Sequence, residues 1–225
     1  MTVDREPEAA DLTARARIRD AALELFATHG VRGTTIRGVA EAAGVSPGLV
    51  QHHFGSKQGL REACDEYAMA TMRKIKTDAF EDGGLDRPGI LPTAVRASVT
   101  LRRYLARALV DGSSGAAKLF DESLAFTKEM LESPPPGILK PKTSDPHAYA
   151  VVMASMAFGM VVLHEHLSRA LGVDTLSAEG YPRLTRAMLE VLTNDVMTPE
   201  LTEQAYRALE EMAGGSGGDG GDGGA

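Results

Sequence analysis

Three consecutive polar residues, Gln51, His52 and His53, carry side chains that could bond to a nucleic acid. They lie between the apolar residues Val50 and Phe54, so a helix through this segment would turn the apolar pair inward and the polar residues outward. An amide such as that of Gln51 can read the edge of adenine in the major groove or bond a phosphate. We therefore expect this short segment to be a contact surface.

The neighbouring residues signal two helices joined by a tight turn. Thr34 or Thr35 can cap the start of the first helix, and Gly44 suits its end because glycine adopts a left-handed backbone at little cost. Ser46 followed by Pro47 is typical of the start of the next helix. A short second helix with a well-defined N-terminus and a polar outer face is typical of a recognition helix. An ordinary corner between two helices, without DNA contact, is the alternative interpretation.

Positive charge is concentrated around this segment. Residues 12–57 hold six Arg or Lys and three Asp or Glu, a net charge of +3, in a chain whose net charge is −7. A basic region in an acidic chain is what a localised phosphate-binding face requires. Lys57 follows Ser56 at the start of a further predicted helix, where a phosphate could meet both the lysine and free N–H groups. A solvated lysine is the alternative.

The stretch from about residue 14 to about residue 67 resembles the DNA-binding domain of the TetR family of bacterial transcriptional regulators. The resemblance rests on a predicted long helix over 13–29 followed by G-V-R-G-T-T, A-x-x-A-G-V-S, H-x-F and S-K-x-x-L. Many members carry aromatic residues, which commonly touch the DNA backbone, where this chain has Gln51 and His53.

The resemblance implies an all-α fold in which a three-helix, N-terminal helix-turn-helix domain is joined by a long helix to a C-terminal helical domain for ligand binding and dimerisation. It also implies a homodimeric regulator, by family default a repressor, that binds a palindromic operator in double-stranded DNA and is released by a small molecule. The predicted boundaries are 1–11 disordered, 12–57 DNA-binding, 58–213 regulatory and 214–225 a disordered Gly/Asp tail. The predicted DNA contacts are Thr35, Arg37, Ser46, Pro47, Gly48, Gln51, His52, His53 and Lys57.

The rest of the chain is predicted to be helical, apart from a proline-rich segment. Residues 132–147 contain five prolines and should form a stiff surface connector. A spacer is the first interpretation, and a docking peptide or a lid over a pocket is the alternative.

Residues 148–163 are the most apolar stretch, but they are fewer than the roughly 20 needed to span a membrane. A helix that is apolar all round is buried on every side, so we expect one face to pack inside the domain and another against a second subunit. The family places long C-terminal helices in such a dimer bundle. The predicted dimer contacts are Ala154, Ala157, Phe158, Val161, Leu184, Met188 and Leu192.

Phe, Met and Tyr residues on the same helices suggest a pocket for an apolar or aromatic small molecule, because methionine adapts to such ligands. An ordinary hydrophobic core is the alternative. The predicted pocket residues are Tyr104, Phe120, Phe126, Met130, Tyr149, Met153, Met156, Met160 and His164.

Other functional classes find little support in the sequence. The chain lacks a catalytic motif, so an enzyme, or an interaction module without DNA binding, is the weaker alternative. His164 and His166 are two residues apart and would point to different sides of a helix, so we expect neither a metal nor a cofactor. Cys64 stands alone, which excludes an intrachain disulfide. The N-terminus lacks the apolar segment of a signal peptide, and we expect a cytoplasmic protein without a membrane span.

Overall fold

The computed structural model describes residues 5–80, 89–110, 114–135 and 137–215, and these residues form helices without any strand. The all-α prediction is therefore confirmed. The first four helices are α1 (Arg5–Gly33), α2 (Ile36–Ala43), α3 (Pro47–Phe54) and α4 (Lys57–Phe80). The others are α5 (Ile90–Ala97), α6 (Val99–Val110), α7 (Ser114–Glu132), α8 (Pro146–Val162), α9 (His164–Leu171), α10 (Gly180–Thr193) and α11 (Pro199–Gly215).

Both ends of the described chain differ from the sequence-based prediction. Helix α1 begins at Arg5, so residues 5–11, which we expected to be disordered, are helical. At the other end α11 runs to Gly215 and takes in the first two residues of the predicted tail. Residues 1–4 and 216–225 lie outside the described residues.

One hydrophobic core holds the first helices together. Phe26 of α1, Val50 of α3 and Leu60 of α4 are buried in the same cluster as Leu101 of α6 and Leu119 of α7. Helices α1 and α6 pack extensively along each other. The predicted boundary between residues 57 and 58 is therefore not a break in packing, since the helix-turn-helix shares its core with the helices that follow.

A buried arginine ties α5 and α6 to the segment before α10. Arg102 is 2% exposed, and its guanidinium donates to the carbonyls of Val95 at 3.0 Å and Leu176 at 2.8 Å. The ring of Tyr181 lies 4.1 Å from the guanidinium carbon, a cation–π contact. Burial lowers the pKa of Arg102, because a low dielectric disfavours the charged form.

The proline-rich segment between α7 and α8 is not helical in its described residues, as the prolines predict. Helix α8 then starts on Asp145, whose carboxylate accepts from the backbone N–H groups of His147 at 3.0 Å and Ala148 at 2.9 Å. Pro146 occupies the first turn, where its missing N–H costs nothing.

In the described part of the chain, no single helix has the length and apolar composition needed to cross a membrane, although the bent pair α8 and α9 would meet that test together.

The chain divides into two compact units, Met1–Tyr181 and Pro182–Ala225. The second unit contains most of α10 and all of α11. Many of its large apolar side chains are exposed, including Leu189, Val196, Leu209 and Met212. The first unit keeps most of its large apolar residues inside.

Candidate nucleic-acid interface

Local hydrogen bonds define both helices of the helix-turn-helix. The Thr35 hydroxyl accepts from the N–H of Gly38 at 3.0 Å and caps α2, and the Ser46 hydroxyl accepts from the N–H of Leu49 at 3.2 Å and caps α3. Between them Gly44 adopts a left-handed backbone with φ 63° and ends α2. These caps confirm the predicted turn and fix the angle at which α3 leaves it.

Thr34 does not cap a helix, because its side chain lies inside the molecule. It is 3% exposed, and its hydroxyl donates to the carbonyl of Gly30 at 2.9 Å. Gly30 has a positive φ of 70° and interrupts the regular geometry of α1. Thr34 therefore stabilises the bend that leads from α1 into α2.

Helix α3 presents a polar surface to solvent on one side and packs on the core with the other. Val50 is fully buried, and Phe54 packs against the same core. Seven of the nine predicted DNA contacts are exposed on α3, on its cap or at the start of α2. They are Thr35, Arg37, Ser46, Pro47, Gly48, Gln51 and His52.

His53 does not belong to this exposed surface, so its prediction as a DNA contact is wrong. Its side chain is 5% exposed and faces α1, where Nε2 lies 3.3 Å from the Asp11 carboxylate without forming a well-aligned hydrogen bond. The ring also contacts Phe54, with centroids 6.1 Å apart. The residue lies at the junction of α1 and α3 because it is on the inner side of a short helix that must cover α1.

Lys57 also makes a contact within the protein. Its ammonium donates to the carbonyl of Thr34 at 2.9 Å, which ties the start of α4 to the turn before α2. The side chain is half-buried. The sequence predicts phosphate binding for this lysine, whereas the structure gives it a bracing contact inside the helix-turn-helix.

Three arginines of the basic segment are engaged by neighbouring residues of α1–α4. Arg17 donates to the carbonyl of Ala43 at the end of α2. Arg15 lies over the ring of Phe54 at 5.3 Å, and Arg19 lies over the ring of Tyr67 at 3.5 Å. The positive charge of the segment thus partly serves to hold the helices together, a role that the charge count alone does not reveal.

The Arg17 guanidinium also lies close to Gly44, the residue that follows Ala43. A Cβ atom at Gly44 would lie 2.9 Å from the Arg17 guanidinium. The end of a flexible arginine side chain can move aside, so glycine is favoured here mainly for its left-handed backbone.

A buried polar cluster lies where α4 meets α6. The Tyr104 hydroxyl donates to the Asp65 carboxylate, whose other oxygen lies 3.7 Å from the Arg61 guanidinium. Burial raises the pKa of Asp65, although the hydrogen bond from Tyr104 opposes this shift. Burial also raises the pKa of Tyr104, so the phenol remains a donor. The sequence does not reveal this cluster, because Tyr104 lies 39 residues from Asp65 in the chain.

Cys64 lies beside the cluster as a buried thiol. It is fully buried, and burial raises its pKa to about 12. A thiol in this state is a poor nucleophile. Cys64 therefore fills space in the core.

The predicted dimer residues of α8 do not share one exposed face. Ala154 is 3% exposed, so it is buried within its own chain, and the prediction of a dimer contact is wrong for it. Phe158 and Val161 also turn inward, with Phe158 against the ring of Phe120 at 5.7 Å and Val161 against the core. Of the four, Ala157 alone is exposed. On α10, Leu184 and Met188 are half-buried and Leu192 is 45% exposed.

The predicted ligand-binding residues mostly take part in packing. Tyr104 is 1% exposed and engages Asp65, which makes it a core residue. The Phe126 ring lies 5.1 Å from the Arg73 guanidinium, and Tyr149 is 37% exposed. The remaining residues of the set are half-buried: Phe120, Met130, Met153, Met156, Met160 and His164.

One cavity of the first unit, of about 510 Å³, lies between α7, the proline-rich segment and the start of α8. Three smaller cavities also lie beside these helices. One of about 290 Å³ lies between α4 and α7 and is lined by Gln58, Glu62, Asp65, Glu66, Met69, Lys118, Leu119 and Glu122. A second, of about 200 Å³, lies at the ends of α1 and α6 and includes Tyr104. The third, of about 410 Å³, includes His164 and Arg103. The predicted Phe and Met residues line none of these three cavities.

Among the residues that the structure describes, no three His, Cys, Asp or Glu side chains are arranged to hold a metal ion.

Comparison with known proteins places both parts of the chain in one family. The profile of the bacterial regulatory proteins of the tetR family matches residues 18–64, and the profile of a tetracyclin repressor-like C-terminal domain matches residues 99–198. The chain is similar to the HTH-type transcriptional regulatory protein RaaS of Mycobacterium tuberculosis, with 36% identity over 193 residues and 85% of each chain covered. It is also similar to the HTH-type transcriptional regulator BetI of Paraburkholderia phytofirmans, with 32% identity over 54% of this chain and 56% of the relative.

A solved structure agrees with this assignment at the level of the fold. A TetR-family transcriptional regulator from Rhodococcus sp. superposes with a TM-score of 0.57 at 21% identity, and the match covers 80% of this chain and 98% of that chain. The relatives are named as transcriptional regulators, which sets the enzyme alternative aside. With exposed α3 following a capped turn, and with similarity to a regulator along most of its length, this chain belongs to the TetR family of bacterial transcriptional regulators.

Proposed function

We propose that this regulator is a homodimeric repressor that binds a palindromic operator and is released by a small molecule. The observation that carries the proposal is the polar surface of α3. Pro47, Gly48, Gln51 and His52 are exposed there, while the caps and the buried Val50 hold the helix in place. Because DNA is the proposed partner, the proposed site of action is the cytoplasm.

The exposed residues divide into two kinds of DNA contact. Gln51 and His52 carry groups that can bond base edges, so we assign them to sequence readout. Thr35, Arg37 and Ser46 lie at helix starts, where free N–H groups and a cation favour phosphates. The Lys57 ammonium already donates one hydrogen bond to the Thr34 carbonyl. It can contact a phosphate only through its remaining N–H groups. Gly48 and Pro47 let the start of α3 approach the DNA closely.

A homodimer follows from the small reach of one recognition helix. Each α3 covers only a few base pairs, whereas a two-fold dimer places two such helices about 34–36 Å apart on a palindromic site. Gly159 of α8 offers a test, because a Cβ atom there would meet no other group within 4 Å in the protomer.

Replacing Gly159 by Arg should therefore disturb a partner more than the chain itself. We expect Gly159→Arg to give monomers in light scattering and to lose operator binding, while Gly159→Ala keeps both properties. A Gly159→Arg protein that remains a dimer with full DNA affinity would show that α8 is not at the interface.

Ligand release is proposed to act through α4. This helix begins at Lys57, directly after α3, and borders the cavity of about 290 Å³ that it shares with α7. A molecule that fills the cavity would displace α4 and with it the recognition helix. A similar solved structure, at 26% identity and a TM-score of 0.52 over 79% of this chain and 96% of that one, is described in connection with the control of antibiotic production by a bacterial hormone. This likeness supports a small-molecule effector.

An experiment can distinguish between two chemical classes of effector. The sequence predicts an apolar or aromatic molecule from Phe120, Met130 and similar residues, although these do not line the α4–α7 cavity. The rim of that cavity carries Glu62, Glu66 and Glu122 beside a single lysine, Lys118, and favours a positively charged molecule. A gel-shift assay with matched aromatic and cationic compounds distinguishes the two classes.

Selection of binding sites from random DNA tests the whole proposal. The full-length protein should enrich an inverted repeat with half-sites one helical turn apart, and addition of an effector should reduce the enrichment. A reporter with that site across its promoter should be silenced. Enrichment of a single half-site would exclude the palindrome, and an absence of any enriched sequence would favour an interaction module without DNA binding.

A further inference from the structure

The last described helix, α11, lies beyond the residues that the C-terminal family profile matches, 99–198. Its apolar residues follow a strict helical spacing of four, three and four positions: Leu201, Ala205, Ala208 and Met212. These residues form one narrow stripe along the helix, and Leu209 lies beside it. A stripe this narrow is typical of a helix that pairs with one other helix rather than covering a broad core.

The stripe is uncovered in the structure. Leu201 is 50% exposed, Leu209 is 59% exposed and Met212 is 73% exposed. Within the described residues of the second unit, α11 makes no extended contact with α10. A helix of this length is only marginally stable in water unless its apolar face is packed, so the stripe requires a partner.

Helix α10 has the surface that suits α11. Leu189 is 57% exposed, and Leu192, three residues later on the same side of the helix, is 45% exposed. The charges of the two helices also complement each other, since α10 carries two arginines and one glutamate while α11 carries four glutamates and one arginine. Two copies of α11 would repel each other, and the excess of glutamate also disfavours an anionic membrane or a nucleic acid as partner.

We propose that α11 packs its apolar stripe against α10 of a second copy of this chain. The proposal rests on the homodimer proposed above and adds to it a contact made by a helix outside the matched family profile. The two-fold axis of the dimer repeats the contact, so both copies of α11 are covered at once. In the dimer each α11 therefore acts as an arm that clasps the other subunit.

Disulfide trapping tests the contact directly in the full chain. One subunit carries Ala205→Cys in the stripe, the other carries Leu192→Cys on α10, and the two are co-produced with different tags. The native Cys64 does not compete, because it is buried and its pKa is raised to about 12. The matched control is Glu203→Cys, on the opposite side of α11 from the stripe.

We expect a disulfide-linked species carrying both tags for Ala205→Cys, and little of it for the control. Equal trapping of both variants, or none of either, would overturn the proposal. One chain carrying both Leu192→Cys and Ala205→Cys provides a further check. If its disulfide forms within a single chain, α11 folds back on its own α10 and the proposal is wrong.

Sedimentation equilibrium separates this proposal from that of the homodimer itself. The double variant Leu201→Glu and Met212→Glu places charges in the stripe, and we expect its dimer dissociation constant to rise at least about tenfold, since each side chain loses its apolar burial. Glu203→Gln is the control and should leave the constant unchanged. A dimeric double variant with an unchanged constant would overturn the role of α11 alone, whereas a wild-type chain that is monomeric throughout would overturn both proposals.

Discussion

The helix-turn-helix and the C-terminal unit differ in where their apolar residues lie. In the first, Val39, Val50 and Phe26 are almost completely buried, and the exposed residues of α3 are polar or small. In the second, Leu189, Val196, Leu209 and Met212 remain exposed. Both regions are helical, so the difference lies in how their apolar residues are packed.

This contrast shows that the two regions need different partners. The helix-turn-helix packs into a core that it shares with α6 and α7, and its exposed groups are hydrogen-bond donors and acceptors suited to DNA. The C-terminal unit leaves its apolar surface exposed, and a surface of this kind marks a contact between proteins. In the homodimer proposed above, recognition of DNA by polar groups on α3 is separate from assembly through the apolar groups of the C-terminal unit.

The strongest test of the contrast is a pair of truncations, one in each region. Phe26→Ala should lower the free energy of unfolding by about 3–5 kcal/mol, because it leaves a cavity in the shared core. Val196→Ala, at a residue that is 82% exposed, should change it by less than about 0.5 kcal/mol. Urea unfolding at low protein concentration measures both, and equal losses would show that the C-terminal unit is packed as tightly as the helix-turn-helix.

The next test contrasts the outer and inner sides of α3. Gln51→Ala should relax the preference for one base pair by about 1–3 kcal/mol, because its exposed amide is assigned to a base edge. His53→Asn should leave the preferred sequence unchanged, since that side chain faces α1. Selection of binding sites from random DNA with each variant measures whether its preferred sequence has changed. If Gln51→Ala keeps the wild-type preference, Gln51 contacts only the DNA backbone, and a changed preference in His53→Asn would contradict its buried position.

A smaller effect separates two arginines of the basic segment. Arg17→Ala should cost about 1 kcal/mol of stability, because its hydrogen bond to the Ala43 carbonyl is lost, and should leave the salt dependence of DNA binding unchanged. Arg37→Ala, at an exposed residue, should leave stability unchanged and reduce the salt slope by about one. Thermal unfolding and affinity at several salt concentrations measure the two quantities. A reduced slope in Arg17→Ala would mean that this arginine also binds phosphate.

The parts of the fold that follow from local chemistry were predictable from the sequence. Thr35, Gly44 and Ser46 act on backbone groups within a few residues of themselves, so their roles can be recognised in the sequence. The order of helices and the polar side of α3 follow from the same short-range patterns. The resemblance to the TetR family then indicates that these helices bind DNA.

The contacts between distant residues were not predictable in this way. Arg17 bonds a carbonyl 26 residues away and Arg102 bonds one 74 residues away, and neither spacing leaves a pattern in the sequence. Helix α8 is apolar on all sides, so the sequence cannot indicate which side faces the protein. This is why Ala154, predicted to meet a second subunit, lies inside its own chain.

The smallest predicted effect concerns the carboxylate of Asp65, buried where the helix-turn-helix joins the rest of the first unit. Burial raises the pKa of this group in the folded protein above its ordinary value. Between the unfolded and the folded pKa, the folded chain holds a proton that the unfolded chain has released. The free energy of unfolding that Asp65 contributes therefore falls as pH rises through this window.

Asp65→Asn keeps an oxygen that can accept from Tyr104 but cannot ionise, so the stability of the variant relative to wild type should increase with pH and then level off. Urea unfolding from pH 4 to pH 8 measures the difference, with Asp121→Asn, at an exposed residue, as the control for loss of a charge. A difference that stays constant across this range would mean that Asp65 titrates alike in the folded and unfolded chains, with the hydrogen bond from Tyr104 and the charge of Arg61 offsetting the effect of burial on its pKa.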